Sequence, residues 1–127
     1  MEIVNGQPAV LRFEAKPDQQ SYDFTQTDFT KDYNYHDLDL STKIPVGTVS
    51  VTLWCAIKSS AEIGEVSFAA SGYTGEYLKS LNFVQVAGVG KGFCIDIPVK
   101  TDRKIRYRIS NIVWVYINVN IVAWLVK

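Results

Sequence analysis

From residue 48 to residue 58 the chain alternates: Val49, Val51, Leu53, Cys55 and Ile57 fall between Thr48, Ser50, Thr52, Trp54, Ala56 and Lys58. A two-residue period marks an extended chain that buries one face and wets the other. The same period runs through Phe93, Ile95, Ile97 and Val99, and through Ile105, Tyr107 and Ile109 against Lys104, Arg106 and Arg108. Residues 114–127 predict one long strand with Val115, Ile117, Val119, Ile121, Ala123 and Leu125 on one side. Tyr116, Asn118, Asn120, Val122, Trp124 and Val126 then share the other. Such a strand must be paired within the fold or against a partner. Shorter strands are expected at residues 10–14, 33–40, 65–70 and 81–87. Leu38 and Leu40 point inward in the second of these, and in the last a parity slip between Phe83 and Val84 suggests a bulge.

Turn signals separate these runs: Lys16-Pro17-Asp18, Ile44-Pro45-Val46-Gly47, the glycine-bracketed Ser71-Gly72-Tyr73-Thr74-Gly75, Gly88-Val89-Gly90-Lys91-Gly92, Thr101-Asp102 and Ser110-Asn111. With Pro45 second and Gly47 fourth, the second signal suits a type I or II turn. Only residues 60–63 and 76–80 leave room for a helical turn. About seven to nine strands spaced by about ten residues predict an all-β fold, an antiparallel two-sheet β-sandwich of jelly-roll-like topology, with a closed barrel as the alternative. The chain is expected to form a single domain over residues 1–127 with an acidic N-terminal segment of about residues 1–32. Within it, residues 19–32 read as a surface excursion pinned by Tyr22, Phe24 and Phe29, with one strand around residues 21–25, or as an arm reaching another subunit.

A formal charge of +0 removes any global field that would recruit nucleic acid or an anionic membrane surface. The charge is unevenly spread along the chain. Residues 1–40 carry eight acids and three bases, and residues 91–127 seven bases and two acids. Strands from the two ends lying side by side would neutralise one another, whereas a polar molecule would stack head to tail. Cys55 shares the inward parity of its strand and reads as a buried thiol; Cys94 has the opposite parity. Two cysteines without a leader point to a reducing compartment. No run reaches the ~18 apolar residues of a membrane-spanning helix, so a soluble protein made in a cytoplasm without a signal peptide is expected.

Candidate chemistry is sparse. His36 is the single histidine, which leaves no second one for a His-pair zinc site and reads as a structural or surface residue. Asp37 and Asp39 share a face, as a metal or glycosidase pair would, but alternating acids are also common on a wet strand. Gly88–Gly92 lacks the spacing and the following helix of a phosphate loop and reads as a flexible turn. Arg103, Lys104, Arg106 and Arg108 form a basic ladder able to grip a sulfated glycan or a phosphate backbone, or to pair with Asp37 and Asp39 across the sheet. No catalytic residue, metal site or cofactor is predicted. Aromatic residues are the stronger signal: Trp54, Tyr116, Val122, Trp124 and Val126 form a candidate subunit interface covered by the N-terminal excursion or by a neighbouring subunit. Tyr73 and Tyr77 form a candidate ligand tip.

His36-Asp37-Leu38-Asp39-Leu40-Ser41, then Ile44-Pro45-Val46-Gly47 and the strand at residues 48–58, resemble a β-sandwich module of bacteriophage virion proteins of the tail, fibre and head-decoration type. Ala123-Trp124 matches the tryptophan near the end of that module's closing strand. The resemblance covers residues 36–59 and, more loosely, 104–125; Lys43 and Thr48 depart from it, and the acidic N-terminal third has no counterpart. It implies a non-enzymatic structural or attachment role in a virion, as a homo-oligomer, with a trimer favoured, or bound to other virion proteins. A carbohydrate-binding module that stacks glycan on exposed rings and a small hydrolase using His36 and nearby carboxylates are the alternatives.

Overall fold

The computed structural model describes residues 3–4, 7–8, 10–17, 21–60, 63–72 and 81–127, with the backbone alone at 3–4, 7–8 and 81–85. Two short strands, β1 (Ile3–Val4) and β2 (Gln7–Pro8), pair with each other. Eight more follow: β3 (Arg12–Ala15), β4 (His36–Asp39), β5 (Thr48–Ser59), β6 (Gly64–Ala70), β7 (Leu81–Gln85), β8 (Lys91–Pro98), β9 (Lys104–Ile109) and β10 (Trp114–Val126). They build two antiparallel sheets of four, in the orders β3-β10-β5-β8 and β4-β9-β6-β7. Val51, Leu53, Ile57, Val66, Phe68, Ile105, Ile109, Ile117 and Ile121 fill the space between them, and all are essentially sealed from solvent. The expected β-sandwich is what forms.

Within the sandwich the pairing is nested. The first strand of the eight lies beside the last (β3 with β10), the second beside the seventh (β4 with β9), the third beside the sixth (β5 with β8) and the fourth beside the fifth (β6 with β7). A chain doubled back on itself and rolled up in this way is a jelly roll. The two oppositely charged ends of the sequence therefore lie side by side: Asp37 faces Arg106 and Asp39 faces Lys104 across the β4–β9 pair. No helix among the described residues is long and apolar enough to cross a membrane.

Departures from the sequence reading have local causes. On β10 the register against β5 shifts between Trp114 and Tyr116, between Ile121 and Ala123, and between Leu125 and Val126. A bulge reverses the faces of everything beyond it. Of the single row predicted for this strand, Ile117, Val119 and Ile121 keep the inward side; Ala123 is buried too but stands opposite Thr52, Val115 is exposed, and Trp114 is buried. Beyond the second slip Trp124 stands opposite inward-facing Val51 and packs on the core. Val126 is buried as well, opposite Thr48. The bulge expected between Phe83 and Val84 is not found, since β7 runs in unbroken register along β6 from Gln85 to Leu81. The strand expected at residues 21–25 is a single bridge, Phe24 with Val119, followed by a 3-10 turn at Gln26–Asp28. At the proline–glycine turn, Thr48 N–H bonds to Pro45 O, so Pro45 opens the turn and Gly47, at φ +93°, takes the third position a type II turn reserves for glycine. The helical turn considered at 76–80 lies outside the described residues.

Candidate protein-contact surface

The second edge of β10 is covered along much of its length. β3 pairs with its C-terminal part, Lys16 N–H continues to Val122 O at 2.9 Å, Phe24 bridges Val119, and Gln26 Nε2 reaches Val115 O at 3.1 Å. The N-terminal excursion is thus an interrupted extension of β3. Phe24 and Phe29 leave it for the core, and Phe29 meets the Tyr107 ring edge-on at 5.0 Å. Asp23 fastens it: one carboxylate oxygen accepts from Lys16 Nζ and lies 3.7 Å from Lys43 Nζ, and the other accepts from Ile121 N–H at 2.7 Å. Burial raises the pKa of this carboxyl, but the Lys16 and Ile121 hydrogen bonds and the two ammonium charges outweigh it and hold the group below the usual range.

Because the excursion follows the edge of β10, it leaves the outer face of the first sheet open. Of the two covers expected for this face, the excursion as described does not supply one. Trp54 and Val122 stay 39% and 38% exposed. The six-membered ring of Trp54 sits over Gly92, where an added Cβ would lie 2.5 Å from Cη2, and the Tyr116 hydroxyl lies over Gly90 in the same way. What reads in sequence as a flexible glycine turn is in part a seat for two rings, with Gly92 already inside β8. Of the five predicted interface residues, Trp54, Tyr116 and Val122 remain on the outer side, and Trp124 and Val126 are turned in by the bulge. Leu125, opposite Ser50 and Phe13, takes their place on the outer face. Tyr73 and Tyr77, the predicted ligand tip, lie outside the described residues.

The second sheet spends its charges internally. Arg106 Nε lies 3.8 Å from Asp37 Oδ1. Arg108 is buried; its Nη2 donates to Glu65 Oε2 at 3.1 Å, and its guanidinium stacks on Tyr33 at 4.4 Å and Tyr35 at 4.8 Å. Arg103 Nη1 donates to the carbonyls of Ser41 and Ile44, at 2.8 and 3.1 Å, at the base of a cleft of about 290 Å³ between Gly47, Val99, Lys100 and Lys127. His36 Nε2 is 2.8 Å from Asp32 Oδ1, and the His36 ring packs near Tyr107. Asp39 accepts from Ser41 N–H, which with the nearby Lys104 and Arg103 charges keeps its carboxyl below the usual range. Among the described residues no group of three or more His, Cys, Asp or Glu side chains is placed to hold a metal ion. Cys55 is sealed in the core, where burial pushes its thiol pKa far up, and Cys94 is exposed beside Trp54; both are free thiols.

Beyond that outer face, exposed apolar groups cluster in two further places. One is the end of the sandwich where the β5–β6, β7–β8 and β9–β10 connections meet. Ser60 N–H bonds Val113 O and Gly88 N–H bonds Ser59 O, bringing exposed Ile63, Val86, Val89 and Val113 to that end. The other is the β3 edge, where Val10, Leu11 and Phe13 are 71%, 51% and 70% exposed. Sequence reasoning missed Phe13, although an apolar–charged–apolar–charged run, Leu11-Arg12-Phe13-Glu14, was there to be read. No family model, curated protein or solved structure matches the chain.

Proposed function

We propose that this chain is a non-enzymatic structural protein of a virion, of bacteriophage type, that works by protein–protein contact in capsid decoration or in a tail or fibre. One observation carries the reading: charged side chains pair within the second sheet while Phe13, Leu11, Val122 and Trp54 stay exposed on the first. Apolar surface left uncovered at an edge and on an adjoining face is the mark of a contact surface. The jelly roll is a recurrent capsid building block, though a fold alone assigns no function, and the resemblance of residues 36–59 supplies the bacteriophage direction. Mass spectrometry of particles purified from the source is expected to recover peptides of this chain in fixed stoichiometry with the other particle proteins. Recovery only from the soluble fraction overturns the reading.

A second reading draws on Trp54, whose half-exposed ring seated on Gly92 is the kind of apolar platform on which a sugar ring stacks. A glycan array without hits, and tryptophan emission indifferent to added oligosaccharide, removes it.

A further inference from the structure

Among the described residues β3 is an edge strand of the first sheet, and it differs from the opposite edge. In the first sheet the other edge strand, β8, turns Lys91, Cys94, Asp96 and Pro98 to solvent and its apolar residues inward, as protected edges do. β3 does the reverse, exposing Leu11 and Phe13, and among the described residues no strand lies along its outer side. Backbone direction alternates along a strand, so the bond from Lys16 N–H to Val122 O fixes the parity of the edge. Even-numbered residues bond β10. Leu11, Phe13 and Ala15 point their N–H and C=O groups outward.

We propose that two copies of the chain associate through an antiparallel β3–β3 pair centred on Phe13, joining their first sheets into one of eight strands. This deepens the structural-protein reading by naming a partner, a second copy, and the surface that meets it. A two-fold axis at Phe13 sets Phe13 against Phe13 and Leu11 against Ala15 as hydrogen-bonded pairs, which uses the outward backbone groups. It also sets Arg12 of each copy against Glu14 of the other, in the non-hydrogen-bonded positions where side chains approach most closely. Within one chain these two residues are exposed and only 3.8 Å apart, free to exchange partners. Phe13 also lies beside Leu125 within its own sheet, so the pair would create an unbroken apolar row, Leu125-Phe13-Phe13-Leu125. Other registers of the same parity fit less well. Centring on Ala15 sets Phe13 against Pro17, which has no N–H to give, and Glu14 against Lys16, whose ammonium is already held by Asp23. Centring on Leu11 sets Arg12 against Val10.

A charge-swap cycle read by sedimentation velocity tests this. The unmodified protein is expected to show a reversible monomer–dimer equilibrium. Arg12→Glu and Glu14→Arg are each expected to weaken it by at least about tenfold, because each turns two attractive pairs into two repulsive ones. Arg12→Glu/Glu14→Arg restores it. Phe13→Pro removes an outward N–H that β10 does not use and is expected to give a monomer with an unchanged circular dichroism spectrum. A monomer at every concentration, or a dimer indifferent to both single reversals, overturns the pairing. If that happens while the chain is still found in particles, the pairing fails and the virion reading stands. A restored dimer with no chain in particles is the opposite result.

Discussion

Asp23 ties three parts of the chain together with one carboxylate: Lys16 at the end of β3, Lys43 before β5 and the Ile121 amide at the bulge of β10. Its side chain is 7% exposed. Asp23→Ala removes two charge-assisted hydrogen bonds and is expected to cost about 2–3 kcal/mol, read as a lower urea midpoint at unchanged slope. A loss below half a kcal/mol would mean that β3 and Phe24 hold the excursion unaided. Gly64 is needed for want of room. A Cβ there would stand 2.5 Å from Ile112 Cδ1 and 2.8 Å from Trp114 Cζ2. Gly64→Ala is therefore expected to destabilise by about 1–3 kcal/mol. An unchanged melting temperature would show that the indole can move aside.

Among the elements, β8 and β9 are legible from the alternation alone, because each keeps one register along its length and the two-residue period survives. β5 is legible from Ser50 onward, but at its start the slip opposite Leu125 and Val126 leaves Thr48 buried and Val49 only half-buried. β10 is not, because a bulge adds one residue without any compositional mark. Val122 looks like any other β-branched strand residue, yet it sits at the slip that turns Trp124 and Val126 from the outer face to the inner. Deleting Val122 is expected to remove the slip while keeping Ala123 opposite Thr52 and Trp124 opposite Val51, seen as unchanged tryptophan emission with a melting temperature within a few degrees of the parent. A red-shifted spectrum would show that the extra residue is not what sets the register beyond it. The basic ladder was half legible. Its opposition to Asp37 and Asp39 follows from parity, but the burial of Arg108 depends on Tyr33 and Tyr35 folding over it from before β4, which no local pattern announces. Phe13 escaped notice for a related reason: a four-residue strand is too short for periodicity to say which of its sides stays uncovered.

At the scale of the whole molecule, acid is the expected weakness. Asp23, Asp32, Asp39 and Asp102 all have carboxyls held below the usual range, the last three mainly by hydrogen bonds at turns, from Asn34 N–H, Ser41 N–H and the Ser71 hydroxyl in that order. Each is more readily ionised in the folded chain than in the unfolded one. Their stabilisation is complete above the ordinary carboxylate pKa and is lost as pH falls through the lower folded values, so the urea midpoint should drop below about pH 4. A midpoint that rises on acidification would contradict the assignment. The nested pairing of first strand with last also bears on how the protein comes into being. β10 is synthesised after every other strand of the sandwich, yet it lies in the interior of its sheet, between β3 and β5. Until the ribosome has released it, those two strands have no common neighbour, and sheet closure must wait for contacts more than a hundred residues apart, such as Phe13 with Leu125. Folding should accordingly be slow, with the nascent chain dependent on holding chaperones while its strand edges are bare.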